Sequence, residues 1–460
     1  MDKRLLLGGL KASYCTLGCK LNFSETSTFE KTLKDMGVVS ACEGEKADIC
    51  IINTCSVTDV AAHKSRQMIR RFIRENDGAF VVVTGCHAQL AGEQIAKMKG
   101  VDLVIGSNEK ALFGKLFLDT YNTYKKNRSN YAIASVDHSR GNAASGACHR
   151  VRTKDIVTFA PSCSRGNRTR YFLKVQDGCD YYCTYCTIPI ARGRSRNAAI
   201  AALVDQARQA AAEGGREIVL TGVNIGDFGK TTGETFLELI RTLDIVEGID
   251  RYRISSIEPD LLTDDIIDFC ASSRAFMPHF HIPLQSGSDE VLRLMHRHYD
   301  TNLFARKIER IRAIMPEAFI GVDVMTGCRG ETDALFERGY EFIRSLDVTK
   351  LHVFPYSERP GTAALRIPYI VSEGEKKERC RRLIALSDEK REAFYAAHIG
   401  KRAEVLFEHS VTGGLMHGFT RNYVRVEVDA DNSYDNSIHE VTLKEFNSDK
   451  SCLKADIIQS

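Results

Sequence analysis

Three cysteines, Cys179, Cys183 and Cys186, follow an apolar-leaning run over 171–175 that reads as a strand ending at Asp177-Gly178. Their CxxxCxxC spacing lets one short loop wrap three thiolates around a corner of a cubane cluster. Soft thiolates select iron–sulfur clusters, zinc or Cu(I). A structural zinc site ordinarily takes four ligands, usually as two CxxC-like pairs. No second pair lies nearby, which favours iron–sulfur. Three ligands leave one iron of a [4Fe–4S] cluster open to a substrate or cofactor. A second set, Cys19, Cys55 and Cys86, is dispersed, each residue directly after a short apolar run.

The elements around these cysteines decide whether they meet. From residue 11 to about 118, apolar runs at 13–17, 47–52, 80–84 and 101–105 alternate with amphipathic helical stretches. Ser24 reads as the N-cap of the first helix, with Phe29, Leu33 and Met36 at helical spacing. Such alternation predicts a parallel, doubly wound sheet. Ligands bind such sheets at the carboxyl ends of the strands, so Cys19, Cys55 and Cys86 are expected to converge there. Cys15 and Cys50 fall inside strands and read as packed thiols.

From 171 to about 400, strand and helix alternate about six times, with further strands at 217–220, 252–256, 280–284, 319–325 and 351–356. Six such units suit a partial (β/α)6 barrel with its site at the carboxyl ends. Thr221, Gly222, Asn224, Ser256, Glu258 and Gln285 stand at those ends; loop and cap chemistry is the alternative for each. A long charged helix at 372–398 closes this region. Residues 401–446 then alternate as a small OB-like β-barrel, with strands at 403–407, 423–428 and 440–443. The expected division is 11–120, a basic linker at 121–170, a barrel domain at 171–399 and a tail domain at 400–460.

The 460 residues are 43% hydrophobic and 27% charged, as in soluble globular proteins of two or three domains. No stretch approaches the ~20 apolar residues that span a bilayer, so a cytoplasmic protein without membrane partners is expected. Fifteen cysteines there argue for metal ligation plus free thiols, not disulfides. The net charge of +3 is unevenly spread: residues 121–170 hold ten Lys or Arg against two Asp. Arg165, Arg168 and Arg170 end that stretch, Arg192 and Arg194 follow the cysteine loop, and Arg70 and Arg71 lie on a basic helix after Cys55. This basic excess reads as a footprint for a nucleic-acid backbone. In the tail, seven Lys or Arg face ten Asp or Glu, yet Arg421, Tyr423 and Arg425 offer a stacking and phosphate face.

The loop Cys179–Cys186, with Tyr185 at the aromatic position of CxxxCxΦC, resembles the signature of the radical S-adenosylmethionine (SAM) enzymes. The resemblance implies that the open iron chelates SAM and that the reduced cluster cleaves it to a 5′-deoxyadenosyl radical. The motifs TLGCKLN, NTCSVT and VTGCHAQ resemble the radical-SAM methylthiotransferases, a likeness that runs from about 11 to about 446. It implies that Cys19, Cys55 and Cys86 hold an auxiliary [4Fe–4S] cluster carrying the sulfur to be transferred. It further implies two SAM per turnover, an electron donor such as flavodoxin or ferredoxin, a sulfur source, and an RNA-binding TRAM domain at 400–460.

LTGVNIGDFG, RISSIEP, LHVFPYSERPGTAA and GFTRNYVRV look like the subgroup that methylthiolates N6-threonylcarbamoyladenosine at position 37, in the anticodon loop of tRNA. The isopentenyladenosine subgroup more often reads GQNVN. A third subgroup acts on a ribosomal-protein aspartate, and the acidic tail keeps it in view. A different class, a non-catalytic iron–sulfur RNA-binding protein, would need neither Tyr185 nor an open iron. The threonylcarbamoyl carboxylate requires a cation, for which Arg192, Arg194 and Arg329 are candidates; Cys328-Arg329 departs from the aromatic and proline usual in the family.

Overall fold

The computed structural model describes residues 7–133, 146–164 and 168–458. The chain forms two compact units: residues up to 164 with 177–180 and 186–196, and residues 165–176 with 181–185 and 197–460.

In the first unit the order is β1 (Lys11–Thr16), α1 (Lys20–Asp35), β2 (Val39–Ser40), β3 (Ile49–Thr54), α2 (Asp59–Glu75), β4 (Phe80–Gly85) and α3 (Cys86–Ala96). Next come β5 (Leu103–Ile105), α4 (Phe113–Ile133), β6 (Ala147–His149) and β7 (Cys163–Ser164). Strands β1 to β6 form one sheet in the order β2-β1-β3-β4-β5-β6, every neighbouring pair parallel. Side chains alternate along a strand, so each central strand feeds two cores. Ile49, Ile51, Phe80 and Val82 pack with Phe29, Leu33, Phe113 and Phe117 of α1 and α4. Cys50, Ile52, Val81 and Val83 pack with Ile69, Ala88 and Ile95 of α2 and α3. The sheet is doubly wound, and Cys50 is a packed thiol.

Two boundaries differ from those expected. Helix α1 starts four residues before Ser24, with Cys19 as its extended N-cap. Gly18, at φ +100°, turns the chain there, and Ser24 is buried inside the helix, its Oγ 2.7 Å from that of Ser162. The stretch 121–170 is not linker throughout. Tyr121 continues the buried Phe113–Phe117 ladder of α4, and 147–149 adds the sixth strand. Polar residues on the outer face of α4 mask that ladder in the composition.

The chain continues through β8 (Tyr171–Lys174), β9 (Gln176–Asp177), α5 (Ile188–Arg192) and β10 (Arg196–Asn197). In the second unit follow α6 (Ile200–Ala212), β11 (Glu217–Thr221), α7 (Phe236–Asp244), β12 (Arg251–Ile254), α8 (Asp264–Ser272), β13 (His279–Gln285) and α9 (Asp289–Leu294). Then come α10 (Thr301–Ile314), β14 (Phe319–Thr326), α11 (Asp333–Ser345), β15 (Lys350–Pro355) and α12 (Glu373–Ala396). Strands β8, β11 and β12 run parallel in sequence order, as do β13, β14 and β15. A bridge from Ser256 to His281 joins the two sets, and the Ile257 N–H donates to the His281 carbonyl at 3.1 Å. Six parallel strands with helical crossovers make the expected partial (β/α)6 barrel.

The tail holds five strands where three were expected: β16 (Arg402–Thr412), β17 (Leu415–Thr420), β18 (Arg425–Asp429), β19 (Ile438–Phe446) and β20 (Leu453–Ile457). They close in the order β16-β17-β18-β20-β19 around Val405, Phe407, Met416, Val426, Val441 and Leu443. This barrel belongs to the same compact unit as the (β/α)6 strands because two buried arginines of β12 reach its backbone. Arg251 donates to the carbonyls of Phe419 and Glu404 at 2.8 and 3.0 Å, and Arg253 to those of Arg421 and Thr420 at 3.0 and 2.9 Å. No helix among the described residues is long and apolar enough to cross a membrane.

Candidate functional site

At the carboxyl edge of the first sheet, Cys19 caps α1 after β1, Cys55 follows β3, and Cys86 opens α3 after β4. Two glycines make the turns. Gly18 and Gly85 sit at φ +100° and +99°, a region that suits glycine. A Cβ on Gly18 would lie 2.8 Å from Cys55 Sγ, and one on Gly85 2.2 Å from the Thr54 carbonyl. Side chains brace the loops. Ser65 Oγ accepts from the Cys55 N–H at 3.2 Å and donates to its carbonyl at 2.9 Å. Asn22 Nδ2 donates to the Leu17 and Thr54 carbonyls at 2.7 and 3.2 Å.

The three thiols act on one another. Burial, then the neighbouring Cys86 and Cys19, push the Cys55 thiol up to about 11, while Arg192 draws it down. Three thiols whose thiolate forms would repel one another, free of disulfides and with two of them at helix N-termini, are a donor set suited to a cationic iron–sulfur core. The topology thus brings the dispersed set to one edge of the sheet, where the three residues would suit the auxiliary cluster that the motifs imply.

Arg192 is 1% exposed, and its expected role in RNA binding is corrected here. Its guanidinium donates to Asn22 Oδ1 at 2.7 Å, Glu25 Oε1 at 3.1 Å and Asp177 Oδ1 at 2.9 Å. Burial opposes the charge, but Cys86, Glu25, Asp177 and Cys19 more than offset it, so the group stays protonated. Lys110 pairs with Glu25 at 2.5 Å, and Arg196 with Asp177 at 3.1 Å. Three buried cations and two buried anions therefore pair beside Cys19 and leave one positive charge in excess. Sequence reasoning quoted Asn22 within TLGCKLN but missed this network, because its members are distant in sequence.

Of the CxxxCxxC cysteines, Cys186 Sγ accepts the Ile188 N–H at 3.4 Å, and the Cys179 N–H donates to the Gly193 carbonyl at 3.1 Å. In the second unit, Cys183 Sγ accepts from Arg297 Nη1 at 3.2 Å. Burial raises the Cys183 thiol, and Arg297 opposes the rise. The Arg297 side chain is buried, reaches Tyr185 Oη at 3.5 Å and is ion-paired with Glu258. Burial, reinforced by Asp260, Asp323 and Asp227, lifts Glu258 to about 7 against the pull of Arg297. Arg297 was not anticipated; its one sequence signal is an arginine two residues before Tyr299, in the loop between α9 and α10.

The other expected cofactor contacts lie at strand ends of the second unit. Thr221 ends β11, and its carbonyl accepts the Val175 N–H at 2.9 Å. Gly222 lets the backbone approach Gln176, whose carbonyl oxygen would lie 3.0 Å from a Cβ there. Gln176 Oε1 accepts the N–H groups of Val223 and Asn224 at 3.0 and 2.9 Å. Asn224 is buried, and both polar atoms of its side chain lack partners among the described residues. Such an amide is costly unless a ligand completes it. Ser256 bridges to His281, and Gln285 stands at a bulge ending β13 with φ +66°. Left-handed backbone at a non-glycine residue is a mark of functional sites.

The arginines expected to meet RNA divide sharply. Arg70, Arg71, Arg168 and Arg194 are exposed, with Arg71 paired to Glu75 at 2.8 Å. Arg165 lies outside the described residues. Arg170 is spent on Glu408 at 2.5 Å and Tyr423 Oη at 3.1 Å. Tyr423 is packed against Phe419, His279 and Arg253, with centroid distances of 4.6, 4.6 and 4.7 Å; both it and Arg170 are corrected to structural roles. Arg421 is partly exposed beside Glu404, and Arg425 is half-buried. Arg329 pairs with Glu358 and donates to the Leu365 and Ile367 carbonyls, so of the three candidates for the substrate carboxylate only Arg194 stands exposed.

Comparison with known proteins gives two family matches: the uncharacterized protein family UPF0004 over 11–106 and the radical SAM superfamily over 173–343. The chain is 36% identical over 421 residues to the threonylcarbamoyladenosine tRNA methylthiotransferase MtaB of Bacillus subtilis, covering 90% of this chain and 89% of that protein. It is 30% identical to the tRNA-2-methylthio-N(6)-dimethylallyladenosine synthase of Syntrophus aciditrophicus, covering 88% and 84%. Among solved structures, the radical SAM methyltransferase TsrM of Kitasatospora setae superimposes with a TM-score of 0.53 at 14% identity, over 77% and 76% of the two chains. That likeness shows the fold.

Proposed function

Because this chain belongs to the radical-SAM methylthiotransferase family, we propose that it converts N6-threonylcarbamoyladenosine at position 37 of tRNA to its 2-methylthio derivative. The supporting observation is the convergence of Cys19, Cys55 and Cys86 in a chain whose barrel loop carries a second cysteine triad. Bound at these two sets, two [4Fe–4S] clusters together with SAM supply the sulfur and the radical that side chains cannot. An electron donor such as flavodoxin or ferredoxin and a sulfur source complete the requirements.

The protein's own residues then bind, orient and neutralise. Arg192 holds positive charge beside Cys19 and Cys86, and Arg297 does the same beside Cys183. The unpaired Asn224 amide and the Glu258 carboxyl supply polar groups at the strand ends for the amino and carboxylate groups of SAM. Thr221, Gly222, Ser256, Gln285 and Tyr185 shape the same rim. The five-stranded tail serves as the RNA-binding TRAM module, with Arg70, Arg71, Arg168, Arg194, Arg421 and Arg425 available to phosphates. A base must be unstacked to react, which favours a loop over duplex RNA.

Mass spectrometry of nucleosides from tRNA of cells with and without the gene tests the reading. Loss of 2-methylthio-N6-threonylcarbamoyladenosine with retention of its precursor is expected. Loss of the isopentenyl derivative instead would move the protein to the subgroup of its 30%-identical relative, and unchanged nucleosides would refute both.

A further inference from the structure

The five-stranded barrel carries a third group of donor atoms, which the proposed reaction does not use. His417 on β17 and Glu427 on β18 are direct cross-strand partners, so their side chains leave the same face. Strand β18 pairs with β20 at Val426–Leu453, which brings Cys452 alongside. One atom each of the imidazole, carboxylate and thiol lies within 4.8 Å of the other two. Cys452 Sγ is 3.0 Å from Glu427 Oε2, and His417 Nε2 is 3.7 Å from the same oxygen.

We propose that His417, Glu427 and Cys452, with solvent as the fourth ligand, form a zinc site that clasps the barrel shut. A distance of 3.7 Å is too long for a hydrogen bond. Nitrogen and oxygen ligands on one tetrahedral ion, with bonds of about 2.0–2.2 Å, lie roughly 3.3–3.5 Å apart, so an approach of a few tenths of an ångström seats both on one ion. Without an ion, the buried carboxylate relies partly on a thiol, a weak donor, and the imidazole makes no hydrogen bond among the described residues. The carboxylate and the thiol are already positioned by one residue. Asn447 Nδ2 donates to Glu427 Oε2 at 3.2 Å, while its Oδ1 accepts the Ser451 and Cys452 N–H groups at 2.9 and 3.2 Å. Such outer support is typical of metal ligands.

The mixed sulfur, nitrogen and oxygen set suits zinc; calcium and magnesium prefer oxygen alone. Binding exchanges the Cys452 S–H for an S–Zn bond and releases the proton to solvent, with no change of oxidation state. The location gives the ion a purpose. Strands β18 and β20 meet over two residue pairs, Val426–Leu453 and Glu427–Lys454, in the one parallel pairing of an otherwise antiparallel barrel. An ion held by β17, β18 and the start of β20 clamps this short seam.

The test uses full-length protein with its iron–sulfur clusters reconstituted, equilibrated with Zn2+ and desalted. Zinc and iron are counted by mass spectrometry, and the zinc X-ray absorption edge reports the ligands without interference from iron. One zinc per chain with a single sulfur neighbour is expected. His417→Ala and Cys452→Ser should each weaken zinc binding by more than about tenfold and leave iron content unchanged. No retained zinc in the wild type, equal binding by His417→Ala, or a shell of several sulfurs would overturn the site. Should Cys452→Ser fail to fold, His417→Ala decides alone, because that ring is partly exposed.

Discussion

Replacing Arg192 by methionine keeps most of the side-chain volume and deletes the charge at the centre of the buried network. Removing one partner of a buried ion pair costs about 3–5 kcal/mol, because the other charge is stranded. Here the stranded acids keep second partners: Glu25 retains Lys110 at 2.5 Å, and Asp177 retains Arg196 at 3.1 Å. The expected loss therefore lies at the low end, about 3 kcal/mol, which is roughly a hundredfold in an opening constant. Peptide-resolved hydrogen exchange on the cluster-loaded protein reads this locally, with the drop in protection centred on α1, β9 and α5, which carry Asn22 and Glu25, Asp177 and residue 192. Lysine at 192 should fall in between, since a point charge cannot reproduce a fork that spans Asn22, Glu25 and Asp177. Protection within threefold of wild type, with a fall in tRNA affinity instead, would refute the structural role and restore Arg192 to the RNA surface.

Gly18→Ala should cost about half the bound iron while the cluster of the CxxxCxxC loop remains, because its Cβ meets Cys55 Sγ at 2.8 Å on a backbone at φ +100°; full iron content would show that the loop yields. Glu258, raised to about 7 by burial, holds a proton in the folded chain that the unfolded chain loses near its ordinary value. Folding stability should therefore fall as pH rises through that interval, and Glu258→Gln should abolish the slope in thermal midpoints measured from acid to neutral pH. Charge removal at the exposed Arg168 and Arg194 should lower the salt dependence of tRNA binding, by about one logarithmic unit of slope for each phosphate no longer neutralised; a slope equal to wild type would place the footprint elsewhere.

Both parallel architectures were legible because parallel strands buried on two faces read as continuous apolar runs. Ile49–Thr54 and Phe80–Gly85 are buried along their whole length, and each runs straight into a cysteine. The convergence of Cys19, Cys55 and Cys86 followed from topology alone. What escaped was set by tertiary packing. No local signal marks Cys19 as a better N-cap than Ser24, since a serine ordinarily outranks a cysteine there; the decision lies with Gly18 and with the fit of Ser24 against Ser162. Asn224 was legible as a strand-end residue, but its unpaired state was not, and Arg297 enters the site only through the fold.

The arginines show the limit most clearly. A count of charges treats Arg192, Arg194 and Arg196 as one basic patch. Their environments are opposite: Arg192 and Arg196 both reach Asp177, at 2.9 and 3.1 Å, while Arg194 between them is exposed. Gly193, at φ +74°, ends α5 and reverses the direction of the next side chain. The same sorting removes Arg170, Arg251 and Arg253, whose guanidinium groups serve Glu408, Glu217 and the backbone of the tail barrel. Charge that is consumed inside the fold cannot release counterions from a nucleic acid. The electrostatic case for tRNA binding therefore rests on arginines that reach solvent, such as Arg70, Arg71, Arg168 and Arg194, not on the net excess of the segments that contain them.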